Sequence, residues 1–238
     1  MGAVARPAPI QQSFIIMSDS SIRLRPADTP TPQSGYIPYK HSRYWRSQVE
    51  AAHNRRPIVS VFMTQKAFVR VNVHATSDLD NEVGGWLIGN WREDQVTGEE
   101  YIVVDNCLPA QDVRQGSAYL TFTQNSQVAM FEMMESKFPD KELVGWYHTH
   151  PKMSVFLSNY DLFLHNNFFP HPWQVALVIE PHGNTAGFFV RDKHGNLDAR
   201  KYFGFHELSD DQRRSVVHWT NMKEEFTESL SMMENNNE

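Results

Sequence analysis

The residues of this chain best able to do chemistry lie close together. They are Gly145-Trp146-Tyr147-His148-Thr149-His150-Pro151, followed by Ser158-Asn159-Tyr160-Asp161. The stretch from Leu143 to His150 reads as a strand, and two histidines two positions apart on a strand project from one face and can reach one ion. Pro151 restricts His150 to an extended backbone, which helps hold that geometry. Asp161 comes eleven residues after His150, enough for the chain to turn and return a carboxylate as a third ligand. Two His and one carboxylate leave a fourth tetrahedral position for water, the pattern of a catalytic zinc site and not of a structural one. Zinc lowers the pKa of its water to about 7, so hydroxide becomes available at neutral pH.

Taken singly, each residue has an ordinary explanation. The chain has 11 histidines, and most protein histidines ligate nothing. Ser158 and Asp161 also fit S-x-x-D at a helix start, where the hydroxyl caps backbone N–H groups and the carboxylate favours the dipole. The capping and catalytic roles are compatible, because a helix start holds both side chains rigidly. Four specified residues at fixed offsets match by chance with probability on the order of 10⁻³, at about 5% per residue type. The metal reading is the stronger one.

The elements that must position these residues can be traced outwards from them. Ile58 to Phe62 reads as a strand, and Thr64 to Ala75 as a helix with a Thr cap. Val83 to Gly89 and Glu100 to Val104 suit strands on either side of a polar turn. Asn125 to Phe138 fits an amphipathic helix with Val128, Phe131 and Met134 on its apolar side. Ser158 to Phe168 suits a helix; Gln174 to Ile179 and Thr185 to Arg191 suit strands joined at His182-Gly183-Asn184. A charged helix is expected from Ser209 to about Leu230. Strands and helices without strict alternation argue for an α+β domain.

Four segments follow. Residues 1–39, with six of the 13 prolines, read as a disordered tail. Residues 40–57 read as a basic lead-in helix, 58–205 as the compact domain, and 206–238 as a C-terminal helix with a frayed end. A chain of 238 residues and 40% apolar composition fits one well-filled domain. The formal net charge of -6 gives no electrostatic footprint for nucleic acid. The longest apolar runs fall far short of the roughly 20 residues of a membrane span. The single cysteine, Cys107, excludes an internal disulfide and suggests a reducing, cytoplasmic setting. No His/Asn context activates it as a protease nucleophile.

The pattern H-x-H-P, with seven residues between the second His and a Ser that opens S-x-x-D, resembles the JAMM (MPN-plus) metalloprotease signature, with His148, His150, Ser158 and Asp161 on its positions. That family's upstream Glu, ahead of a Gly-containing apolar strand, has a counterpart in Asn81-Glu82-Val83-Gly84-Gly85-Trp86-Leu87-Ile88-Gly89. The resemblance spans roughly Val59 to Tyr202. It implies the MPN fold, a curved mixed β-sheet flanked by helices. It also implies one Zn²⁺ held by His148, His150 and Asp161, with Glu82 moving a proton from water to the leaving amine and Ser158 donating to the oxyanion.

The implied substrate is the bond after the C-terminal Gly-Gly of ubiquitin or a ubiquitin-like protein, which would make the chain a deubiquitinase-like isopeptidase. Ala110 to Thr123 sits where the family carries an insertion that clamps that tail. The short span from Asp161 to Gln174 leaves no room for the second, structural zinc of endosome-type members, and Cys107 lies on the wrong side of the motif to ligate it. Two rivals stand beside this reading. One is a non-catalytic or partner-activated MPN scaffold; the other is a JAMM peptidase acting on a non-ubiquitin substrate such as a sulfur-carrier protein. A protein partner is expected to dock on residues 1–56 or the last helix.

Overall fold

The computed structural model describes residues 30–53, 57–111, 114–116, 119–209, 211 and 213–225. The chain divides into two units, Met1–Pro32 and Gln33–Glu238, and the candidate site lies in the second. Its centre is a mixed sheet. In chain order the strands are β1 (Gln33–Gly35), β2 (Ser42–Ser47), β3 (Ser60–Thr64), β4 (Gly84–Asp94) and β5 (Glu100–Pro109), then β8 (Glu142–Thr149), β9 (Val175–Glu180), β10 (Thr185–Phe189), β11 (Phe205–Leu208) and β12 (Met222–Glu225). A separate hairpin pairs β6 (Arg114–Gly116) with β7 (Tyr119–Thr121). The helices are α1 (Gln48–His53), α2 (Gln65–Ala75), α3 (Gln124–Lys137) and α4 (Asn159–Phe168).

The sheet runs β10-β9-β8-β4-β5-β3-β11-β2-β12, with β1 beside β4. The β8–β9, β3–β5 and β3–β11 pairs are parallel and the β4–β8 and β4–β5 pairs antiparallel. The sheet curves until its ends nearly meet. Phe188 and Phe203 exchange both backbone hydrogen bonds, at 3.1 and 2.7 Å. The Asn221 side chain accepts from the Ala186 N–H at 3.0 Å and donates to its carbonyl at 2.8 Å. Each face carries its own apolar core. Phe68, Val71 and Ala75 of α2 pack into one cluster with Leu87, Tyr147 and Leu177. Met130 of α3 and Leu164 of α4 pack into the other with Trp86, Trp146 and Val178. This is the α+β domain that the pattern of elements predicts, and the curved mixed sheet flanked by helices that the resemblance implies.

Local signals act as expected at the starts of α2 and α4, and a cap the sequence reading did not name starts α3. Thr64, Thr123 and Ser158 are N-caps whose hydroxyls accept from Ala67, Ser126 and Asp161 N–H groups, each replacing a hydrogen bond the helix cannot make for itself. Elsewhere the structure corrects the sequence reading. Residues 42–47 form β2, hydrogen-bonded to β11 and β12, and among the described residues of 40–57 α-helix is confined to Gln48–His53, with a 3₁₀ turn at Tyr39–His41. The backbone of β2 is therefore committed on both sides and is not offered to a partner.

No helix occurs at 213–225, where β12 pairs with β2 and Trp219 is buried. Tertiary pairing has overridden local helix propensity in both places. Of the residues 1–39 read as a tail, Gln33–Gly35 form a strand parallel to Arg92–Asp94, while 1–29 lie outside the described residues, as do 54–56 and 226–238. On α3, Val128 and Phe131 are 50% and 46% exposed and Met130 is buried, so the apolar side is rotated from the one the spacing suggests. No helix among the described residues is long and apolar enough to cross a membrane.

Candidate metal centre

Strand β8 ends at Thr149, so His148 lies on it and His150 directly after it, on the face that carries Trp146. The His148 and His150 Nε2 atoms are 3.0 Å apart. The third group comes from the start of α4. The Ser158 N–H donates to Asp161 Oδ2 at 2.7 Å, and the Asp161 N–H donates to Ser158 Oγ at 3.1 Å, a reciprocal capping box. Pinned this way, Asp161 places Oδ1 3.4 Å from His148 Nε2 and Oδ2 3.5 Å from His150 Nε2. The ligand atoms of the three residues lie within 4.8 Å of one another, and all three residues are buried.

Tetrahedral zinc with bonds of about 2.0–2.2 Å holds its ligand atoms about 3.3–3.6 Å apart. The His148–His150 Nε2 separation of 3.0 Å and the nearest Asp161 oxygens, Oδ1 at 3.4 Å from His148 and Oδ2 at 3.5 Å from His150, lie close to that range. Two imidazoles and a carboxylate are also the right donor types. The residues present fit a zinc ion.

Glu82 reaches the same place from the other side of the ladder. Gly84 of β4 pairs with His148, and the pairing continues beyond the strand end. The Val83 N–H donates to Thr149 Oγ1 at 2.9 Å, and the Thr149 N–H donates to the Val83 carbonyl at 2.8 Å. Glu82 is thereby held with Oε1 3.9 Å from His150 Nε2 and is 2% exposed. Only glycine fits at position 84: a Cβ there would lie 2.5 Å from the Tyr147 carbonyl oxygen and 3.2 Å from the His148 Cβ.

The electrostatics separate the two carboxyls. Burial pushes Glu82 up to about 7; the Asp161 charge adds to this and His150 opposes it. Burial acts in the same direction on Asp161, but His148, His150 and Ser158 outweigh it and hold that carboxyl well below the usual range. Burial lowers His148, against an opposing pull from Asp161, favouring the neutral ring whose lone pair can bind a metal. One carboxyl is thus a permanent anion and the other poised near neutrality, the division an acid–base site needs.

All five residues singled out in the sequence converge here, with Ser158 joined to the cluster through Asp161. The sequence reading gave Trp146 and His165 no role at the site. The Trp146 ring stacks on His148 with centroids 4.5 Å apart and planes at 10°, and its Nε1–H donates to His165 Nδ1 at 3.0 Å. The signal was available: Trp146 shares the i, i+2 face with His148, and His165 is one helical turn beyond Asp161. Within Ala110–Thr123 the structure has the β6–β7 hairpin, while 112, 113, 117 and 118 lie outside the described residues. Burial pushes the Cys107 thiol up to about 11, which leaves it an unreactive thiol at neutral pH.

Residues 57–169 match the family described as JAB1/Mov34/MPN/PAD-1 ubiquitin protease. The matched residues form an MPN domain, and the relatives named below are JAMM family members. It is 28% identical over 164 residues to COP9 signalosome complex subunit 5 of Candida glabrata, covering 61% of this chain and 34% of that protein. It is 26% identical over 140 residues to the ubiquitin carboxyl-terminal hydrolase RPN11 of Saccharomyces cerevisiae, covering 58% and 44%. To the AMSH-like protease sst2 of Schizosaccharomyces pombe it is 26% identical over 141 residues, covering 56% and 29%. The chain therefore spans less than half the length of these relatives.

Proposed function

We propose that this chain is a zinc-dependent isopeptidase that hydrolyses the bond after the C-terminal Gly-Gly of ubiquitin or a ubiquitin-like modifier. The observation that carries the reading is the convergence of His148, His150 and Asp161 beside a buried Glu82 with a raised pKa. In this reading His148, His150 and Asp161 hold the ion. Bound zinc supplies Lewis acidity to the scissile carbonyl and lowers the pKa of a ligated water to about 7. Glu82 takes a proton from the attacking water on a carboxylate oxygen and delivers it to the departing amine, work suited to a carboxyl near neutrality. Ser158 Oγ accepts from the Asp161 N–H, so its own O–H is left to donate to the oxygen that becomes anionic. The β6–β7 hairpin would align the substrate: an extended Gly-Gly tail has no side chains to obstruct a narrow channel and can add as a strand beside an edge.

The test is the zinc content of the purified protein by mass spectrometry, together with cleavage of a fluorogenic ubiquitin C-terminal conjugate with and without chelator. Near one zinc per chain and chelator-sensitive cleavage are expected. Absence of zinc after supplementation overturns the reading; zinc without cleavage of ubiquitin or ubiquitin-like conjugates overturns the substrate assignment.

A further inference from the structure

Metal-ligating histidines ordinarily donate their second ring N–H to a carbonyl or carboxylate, which fixes the plane of the ring. His150 has such a neighbour, the Ser154 carbonyl 3.3 Å from its Nδ1. His148 does not: its buried Nδ1 meets no hydrogen-bond partner among the described residues. What the His148 ring meets is the face of Trp146, nearly parallel at 4.5 Å. Trp146 is 0% exposed, and its Nε1–H is fixed on His165 Nδ1. Phe169 stacks at 5.8 Å on both Trp146 and His165, which confines the pair from a third side.

We propose that Trp146 and His165 are positioning residues for the metal centre: His165 fixes the rotation of the indole, and the indole face holds the His148 imidazole in the plane that aims Nε2 at the ion. The inference rests on the zinc reading above and adds to it the means by which one ligand is oriented. His165 and Asp161 both belong to α4, whereas Trp146 and His148 belong to β8. The contact therefore ties together the two elements that supply the candidate ligands. To accept from the indole, His165 must carry its proton on Nε2, and burial beside Arg191 favours that neutral ring. The negative face of the indole also suits an imidazole that gains positive character on binding a cation.

Three variants of the full chain test this. Trp146→Phe keeps a stacking ring without the N–H, His165→Leu removes the acceptor, and His165→Gln offers a carboxamide oxygen in its place. The readouts are zinc affinity by competition with a chromophoric chelator, the visible spectrum of the cobalt-loaded protein, and thermal unfolding of the metal-free form. Trp146→Phe and His165→Leu are expected to weaken zinc binding by about 10–100-fold, the usual effect of removing such a partner, and to change the cobalt bands; His165→Gln recovers most of the affinity. Unchanged affinity and spectrum in Trp146→Phe and His165→Leu overturn the proposal. So does a lower unfolding temperature with affinity unchanged, which would make the contact packing alone. If His165→Leu does not fold, Trp146→Phe against His165→Gln decides the question. Wild-type protein that binds neither metal is a different failure, because it removes the zinc reading itself.

Discussion

The proposed reaction gives Ser158 a second role beside its helix cap, and substitution separates the two. Its Oγ accepts the Asp161 N–H at 3.1 Å and starts α4; in the proposed reaction its O–H donates to the oxyanion. Replacing an N-cap serine by alanine costs about 1 kcal/mol, and by glycine only a few tenths. In a protein of this size 1 kcal/mol shifts the unfolding temperature by about 2–4 °C. Losing one oxyanion donor costs about 10²–10³ in kcat. Zinc should stay bound in both variants, because the bond tethering Asp161 Oδ2 comes from the Ser158 backbone N–H at 2.7 Å, which survives any side-chain change. Ser158→Ala is thus expected to unfold about 2–4 °C lower and Ser158→Gly within about 2 °C of wild type, while both lose the same 10²–10³ in kcat. The assays are turnover of the fluorogenic conjugate, zinc per chain, and thermal unfolding. Turnover near wild type in either variant refutes the donor role. A loss of turnover that follows the order of the stability losses refutes it equally, since the hydroxyl would then serve only the helix.

Three further outcomes are expected. Glu82→Gln should retain zinc and lose about 10²–10⁴ in kcat; wild-type kcat/KM should fall as pH drops through about 7 or lower, because the base must be ionised, and a variant keeping wild-type turnover removes the base. Gly84→Ala should destabilise the fold by about 1–3 kcal/mol and weaken zinc binding, since the new methyl meets the Tyr147 carbonyl and the His148 Cβ; denaturant unfolding and chelator competition measure both. His206 stacks on Phe62 at 4.4 Å and meets the Tyr44 ring at a tilt at 4.5 Å, and burial lowers its pKa to about 3. Between that value and its ordinary 6.5, the unfolded chain binds the extra proton. Stability therefore rises with pH across that window and is lost on acidification, by about 1–2 kcal/mol at pH 5. His206→Phe should flatten this slope in unfolding titrations.

Much of the site was legible because its geometry is local. A two-residue strand repeat places His148 and His150, and the three-residue reach of a capping box places Ser158 against Asp161. Glu82 was legible only by resemblance, since nothing in 66 residues of separation from Val83 to Thr149 announces that the two strands pair. The same reason explains the misread ends of the chain. Tyr44, Trp45 and Val49 admit a helical pattern, but β11 and β12 offer hydrogen bonds on both sides of residues 42–47, and a sheet interior outweighs weak local propensity. Val128 and Phe131 misled for a different reason: helical spacing identifies a stripe, while the tertiary fold decides which stripe faces inward.

The capping box has a consequence for how such a protein comes to be active. Asp161 is held by the start of a helix, and His148 and His150 by a β-ladder and its backbone extension, so no ligand waits for an ion to be brought into place. Zinc fingers lie at the other extreme, where ligands gather only on binding and chelators unfold the chain. On the zinc reading proposed above, loading here would be a late step taken by a folded protein. On the proposed reading, zinc supply would then set what fraction of already folded molecules is competent, and a stripped molecule would be a dormant one that can be recharged.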